Sequence, residues 1–177
     1  MCVMKFYSWN VNGLRAAQRH GFEEWLSNTQ PDILGLQETK AYPEQLSESL
    51  RQPAGYQTFW SSAERKGYSG VALYSRLEPT SVEFGLGDEV FDAEGRTIIA
   101  DFDRFVFITT YVPNGSRDHS RVPFKMAFKA QLLETCERLR AEGRAVILCG
   151  DINTSHREID LARPKQNANH TGFLPEE

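Results

Sequence analysis

Seven short runs rich in aromatic and β-branched residues recur along the chain, at 3–9, 33–36, 56–60, 71–74, 97–102, 105–112 and 145–149. Runs of this length and chemistry read as strands. Helical patterns lie between them. Residues 21–28 place Phe22, Trp25 and Leu26 on one face, and residues 43–51 open on a proline suited to a first turn. The long pattern is 122–142, where Phe124, Phe128, Leu132, Cys136 and Leu139 return at three- or four-residue steps and Gly143 stands at the C-cap. This helix should pack on a sheet. Hairpins are expected at Asp103-Arg104 and at Asp92-Ala93-Glu94-Gly95, so some pairs are antiparallel. The class is α/β or α+β with layered sheets, and periodicity alone does not choose between them. Without a repeat or a dividing linker, residues 1–177 read as a single domain.

Apolar residues make up 40% of the chain and charged residues 25%, an ordinary globular balance that excludes a disordered or fibrous protein. The formal charge is −4, so a surface that is basic all over is excluded and any polyanion site must be local. Residues 117–165 hold ten basic against seven acidic side chains, whereas residues 1–116 hold ten against fifteen. A phosphate-facing surface is best sought in the later stretch. No run approaches the length of a membrane span and the start lacks signal-peptide order, so the expectation is a cytoplasmic protein, or a nuclear one in a eukaryote, that is neither secreted nor membrane-bound. Cys2, Cys136 and Cys149 are odd in number and widely spaced, which gives no disulfide framework or thiolate zinc site.

Four runs end in a compact polar cluster: Trp9-Asn10-Val11-Asn12-Gly13, Gln37-Glu38-Thr39-Lys40, Tyr111-Val112-Pro113-Asn114-Gly115 and Gly150-Asp151-Ile152-Asn153-Thr154. Loops at strand exits commonly carry sites. If these segments stay extended, Asp151 and Asn153 project together, as do Asn10 and Asn12, and Ile152 turns to the core. Alone, an Asp-x-Asn pair is weak evidence, because such residues often cap turns. Glu38 directly follows a strongly apolar run, where an ionised carboxylate needs a partner. Lys40 is the simple candidate for that partner; the combination with Asp151 favours a metal ion instead. The available donors are carboxylate and amide oxygens, which select Mg²⁺ or Mn²⁺ over zinc. No histidine has metal-binding spacing, and neither a serine-hydrolase elbow nor a P-loop is present. Metal-assisted phosphoester hydrolysis is the reaction class that suits such a site, with Tyr111 and Asn153 as donors to phosphate oxygens.

Five blocks in order, Ser8-Trp9-Asn10-Val11-Asn12-Gly13-Leu14-Arg15, Leu36-Gln37-Glu38-Thr39-Lys40, Gly67-Tyr68-Ser69-Gly70-Val71, Thr110-Tyr111-Val112-Pro113-Asn114 and Cys149-Gly150-Asp151-Ile152-Asn153, resemble the exonuclease III family of abasic-site DNA endonucleases. With His156-Arg157-Glu158-Ile159-Asp160 and Gly172-Phe173 they span almost the whole chain. The resemblance implies a four-layer α/β sandwich of two mixed sheets flanked by helices. It also implies Mg²⁺-dependent cleavage of duplex DNA 5′ to abasic sites, with 3′-exonuclease and 3′-phosphodiesterase action on blocked ends, by a protein that is monomeric when full length.

By the same resemblance Glu38 is the principal metal carboxylate and Asn10 a ligand or its orienter. Asp151 manages the water and leaving-group protons, with Asn153 beside it at the metal and the phosphate, and Tyr111 stabilises the phosphate. Lys40, Tyr68, Asn114, Arg117 and Asn167 resemble the family's DNA contacts. One departure accompanies these matches. Family members continue past Gly-Phe-Leu-Pro-Glu through an Asp, a Trp-rich strand and a Ser-Asp-His motif, whereas this sequence stops at Glu177. The expectation is an incomplete second sheet with unpaired edges and exposed apolar surface. Two alternatives stay open: a truncated remnant that binds DNA without cutting it, and a metal-dependent phosphomonoesterase of the same superfamily.

Overall fold

The computed structural model describes residues 3–177, so Cys2 lies outside the described residues. Among the described residues eight strands form two four-stranded mixed sheets. The first contains β1 (Phe6–Asn10), β2 (Ile33–Gln37), β3 (Gln57–Ser61) and β4 (Val71–Ser75) in the order β1-β2-β4-β3. The second contains β5 (Ser81–Phe84), β6 (Thr97–Phe102), β7 (Phe105–Tyr111) and β8 (Val146–Asp151) in sequential order.

Two parallel pairs fix where the site lies. β1 pairs with β2 after a crossover through α1 (Leu14–Arg19) and α2 (Phe22–Thr29), and β7 pairs with β8 after α5 (Val122–Ala141). A parallel pair brings both C-terminal ends to one rim. Asn10 is thus opposite Gln37, next to Glu38, and Tyr111 is opposite Asp151. All other pairings are antiparallel, including the β6–β7 hairpin closed at Asp103-Arg104.

Three apolar clusters make the four layers. Leu14, Phe22, Leu26 and Leu50 pack on the outer face of the first sheet, where α3 (Glu48–Arg51) joins α1 and α2. Ile33, Leu73, Ile98 and Phe107 lie between the sheets. Ile108, Phe128, Leu132 and Leu139 join the second sheet to α5, together with Phe91 of α4 (Glu89–Asp92). Helix α5 ends in a Schellman motif: Gly143 adopts φ 81°, its N–H donates to the Arg140 carbonyl, and Arg144 N–H donates to Leu139. Among the described residues no helix is long and apolar enough to cross a membrane.

The sheets approach closely at Gly35, where a Cβ would stand 2.5 Å from the Thr109 hydroxyl of the opposite sheet. Gln37 Nε2 donates to that same hydroxyl across the gap, at 2.9 Å. Gly35→Ala is therefore expected to wedge the sheets apart and cost about 1–3 kcal/mol, measured by urea unfolding. An unchanged midpoint would show that the gap accommodates a methyl group.

Local expectations fail where a polar group competes with the pattern. Residues 43–51 form a 3₁₀ turn, Pro43–Gln45, and the separate short α3, because the Gln45 side chain caps the Tyr42 N–H and Ser47 opens a new turn. The segment around Asp92 is no tight hairpin; Asp88 caps the Val90 N–H and a helical turn forms. β8 is an edge strand rather than a buried one, with Leu148 and Ile152 exposed and Cys149 half-buried. β1 is the other sheet's edge and exposes Tyr7 and Trp9. These edges lie together on one side of the sandwich, beside an apolar groove of about 660 Å³ walled by α5 and β8.

Candidate functional site

The rim of strand ends is built by one turn used repeatedly. Asn10, the last residue of β1, accepts the Asn12 N–H on Oδ1 at 3.0 Å; Asp151, the last of β8, accepts the Asn153 N–H on Oδ1 at 2.9 Å. Asn114 does the same for Ser116 after β7. In each the receiving residue has positive φ: Asn12 45°, Asn153 50° and Ser116 67°. The side-chain oxygen replaces a ladder partner and stops the strand. The chain therefore does not stay extended through Asn153, although Asp151 and Asn153 still line one cavity, and Ile152 is exposed instead of facing the core. Glu38 and Lys40 also adopt left-handed backbone, at φ 54° and 50°. Such conformations gather at functional sites.

Asn10 holds the centre. Its Nδ2 donates to Glu38 Oε1 and to Asp151 Oδ2, both at 2.8 Å, bridging the two sheets. The amide orientation follows from chemistry, since two carboxylates can only accept and the Asn12 N–H can only donate. Glu38's other oxygen meets Lys40 Nζ at 2.7 Å, so the simple partner is realised too. Lys40 Nζ also donates to Asn12 Oδ1 at 2.5 Å. Burial pushes the Glu38 carboxyl up, but hydrogen bonds from Lys40, Asn10 and Tyr111 outweigh it and hold it below its ordinary value of 4.5. It is an anion at neutral pH. The Tyr111 hydroxyl is pushed well above its usual range, first by burial and then by the Glu38 charge, so it stays protonated as a donor.

Asn153 spends one amide N–H on the Val112 carbonyl at 2.8 Å. Asp151, Asn153, Asn114 and Asn167 line one open cavity of about 400 Å³; Asn167 reaches it from α6 (Pro164–Asn167). Arg117 is exposed on the loop after Asn114, and Tyr68 is half-buried across the rim. The structure thus joins Asn10, Glu38, Lys40, Tyr111 and Asp151 in one cluster and lines the adjoining cavity with Asn114, Asn153 and Asn167; Tyr68 and Arg117 are in neither set. Among the described residues no three His, Cys, Asp or Glu side chains group as a metal site. Two carboxylates with no soft donor fit a hard cation that keeps much of its water.

Two residues escape the sequence reading. Lys125 is fully buried; its Nζ donates to the Asn153 carbonyl and to Glu177 Oε1, each at 2.5 Å, tying the 151–155 turn to residues 172–177. Its signal was a cation on the apolar stripe of α5, three residues before Phe128. The other is Arg96, at the entrance of β6, where a charge meets an apolar run as Glu38 does.

A two-sheet α/β sandwich carrying a carboxylate–amide–carboxylate cluster on the shared rim is the class of protein that fold and site define. The chain belongs to the endonuclease/exonuclease/phosphatase family, which residues 7–176 match. It is 43% identical over 175 residues to an exodeoxyribonuclease of Bacillus subtilis, covering 98% of this chain and 68% of that one. It is 42% identical over 176 residues to the DNA repair nuclease APEX1 of Danio rerio, covering 98% of this chain and 56% of that protein. The structure of an AP endonuclease from Archaeoglobus fulgidus superposes with a TM-score of 0.85 at 32% identity, over 98% of this chain and 66% of that one. The chain thus spans between about half and two thirds of these relatives.

Proposed function

We propose that this chain carries the catalytic rim of a DNA repair nuclease that cuts the phosphodiester backbone 5′ to abasic sites in duplex DNA, with 3′-phosphodiesterase and 3′-exonuclease action on the same centre. The observation that supports it best is Asn10, whose single amide holds Glu38 and Asp151 together at the meeting of the two sheets. Names of relatives that describe exodeoxyribonuclease, DNA repair nuclease and AP endonuclease support the substrate class.

In this reading Glu38 and Asp151 would hold Mg²⁺ or Mn²⁺, with Asn10 orienting both carboxylates. A bound divalent ion supplies charge neutralisation at the phosphate and eases ionisation of water. Tyr111, whose single hydroxyl hydrogen rests on Glu38 in the free protein, would turn it to hydrogen-bond a phosphate oxygen when substrate binds, and Asn153 offers its remaining amide N–H from the side. Asp151 accepts the proton of the attacking water and returns one to the leaving oxygen. Lys40, Tyr68, Asn114, Arg117 and Asn167 grip the strands around the cleaved bond, positioning the backbone while lesion shape selects. When full length the protein acts as a monomer, in the cytoplasm or, in a eukaryote, in the nucleus.

A short duplex with one abasic residue tests this. A single nick 5′ to the lesion with Mg²⁺, lost with chelator, is expected. No nick in either condition, with the duplex still bound, leaves a DNA-binding protein; phosphate release from small monoesters alone points to a phosphomonoesterase. Arg117→Ala is expected to weaken duplex affinity by about threefold to tenfold with the single-turnover rate little changed, because a phosphate contact positions without reacting. A change confined to the single-turnover rate would remove Arg117 from the grip.

A further inference from the structure

Arg96 is only 2% exposed, one residue before β6, and its position in the site has no explanation in the chemistry above. A buried guanidinium must be paired at every face or it destabilises the fold. Its Nε meets Glu94 Oε2 at 2.6 Å, Nη1 donates to the Tyr111 carbonyl at 2.9 Å, and Nη2 donates to the Tyr68 hydroxyl at 2.8 Å. The Arg96 carbonyl in turn accepts the Tyr111 N–H at 2.8 Å. The cation also lies over both rings, 4.7 Å from the Tyr111 centroid and 5.5 Å from that of Tyr68. Arg121 completes the frame, binding the same Tyr68 hydroxyl at 3.2 Å and Glu94 at 2.8 Å.

We propose that Arg96 is a positioning residue that locks Tyr111 and Tyr68 into one rigid unit, so that the side chain reaching the cleaved phosphate and the side chain gripping the strand keep a fixed spacing. The nuclease role of those two tyrosines rests on the reading above; the locking itself does not. Packing alone would be served better by an apolar residue of like volume, since burying a charge is costly. What a guanidinium adds is a planar fork that fixes two groups in direction and two ring faces that it covers. Lysine, a point charge on a flexible stem, lacks the fork and cannot stack a plane on the rings.

The test is Arg96→Lys made alone and in a Tyr111→Phe background, with kcat and KM measured on the abasic duplex. Alone, Arg96→Lys should lower kcat by about tenfold or more, with a smaller effect on KM; in the Tyr111→Phe background, where no hydroxyl remains to be positioned, the further loss should nearly vanish. Equal losses in both backgrounds overturn the proposal, because a residue acting only through stability would be additive. An independent readout is NMR of ¹³C-labelled tyrosine. Of the six tyrosines, the signals of Tyr68 and Tyr111 should shift in Arg96→Lys while the other four hold. Unmoved signals also overturn it. Should the wild-type protein nick no duplex, the nuclease reading fails while the NMR comparison still decides the locking. If Arg96→Lys does not fold, Tyr68→Phe, which deletes only the hydroxyl shared by Arg96 and Arg121, serves in its place: the Tyr111 signal should shift, and an unmoved one counts against the unit.

Discussion

Replacing Glu38 with glutamine is expected to lower Mg²⁺-dependent nicking of the abasic duplex by about 10²- to 10³-fold, the loss of several kcal/mol of charge stabilisation at the phosphate. Glutamine keeps the shape and can keep one contact, its oxygen accepting from Asn10 Nδ2. The other end becomes an amide facing the Lys40 ammonium, two donors with no acceptor between them. The fold should survive, because Glu38 is partly exposed and its link to Lys40 is screened by water. Its pH behaviour supplies a second readout. The folded-state carboxyl lies below 4.5, so the wild type gains stability above that value and loses it as pH falls through the lowered one. Glu38→Gln has no such group and should show a shallower acid limb. Unchanged nicking at saturating Mg²⁺ would take Glu38 out of the metal site.

The fold was largely legible because apolar periodicity reports which face is buried. Residues 97–102 coincide with β6, and 122–142 overlaps α5 to within one residue, since twenty residues of helical stripe leave little freedom. Short elements were not legible. β5 has one partly buried side chain, Val82, and α4 depends on Asp88 as its cap, so neither offers a periodic signal. Candidate site residues were legible individually, at strand ends, but their mutual geometry was not. Alternation assumed that the chain stays extended through Asn153, whereas Asp151 uses one oxygen to end its own strand. Nor did spacing reveal Arg96 and Lys125. Each is buried, and its partners come together only in the fold: Lys125 pairs with Glu177, and Arg96, besides its neighbour Glu94, bonds to Tyr68 and Tyr111.

Asp151→Asn should be the more damaging of the two carboxylate changes, because Asp151 is asked to do three things with two oxygens. Oδ1 accepts the Asn153 N–H, Oδ2 accepts Asn10 Nδ2, and the remaining lone pairs face the cavity where water would be deprotonated. Asparagine has one acceptor. Whichever way the amide turns, an N–H points at Asn153 N or at Asn10 Nδ2, and one of two contacts that fix the rim becomes a donor–donor clash. Losing the base-like group alone costs about 10²- to 10⁴-fold in rate, and the disturbed Asn10 bridge transmits the change to Glu38. The expected result is a single-turnover cleavage rate reduced by about 10³- to 10⁴-fold, beyond the Glu38→Gln loss, with duplex binding within about threefold of wild type because the gripping residues are untouched. A pH profile separates the two causes. If proton transfer is what is lost, the remaining rate should rise as solvent hydroxide increases; if the rim has merely loosened, the variant should follow the wild-type profile at a lower level. A variant that cleaves at the wild-type rate would show that the proton is handled by another group, and the assignment of Asp151 would have to be abandoned.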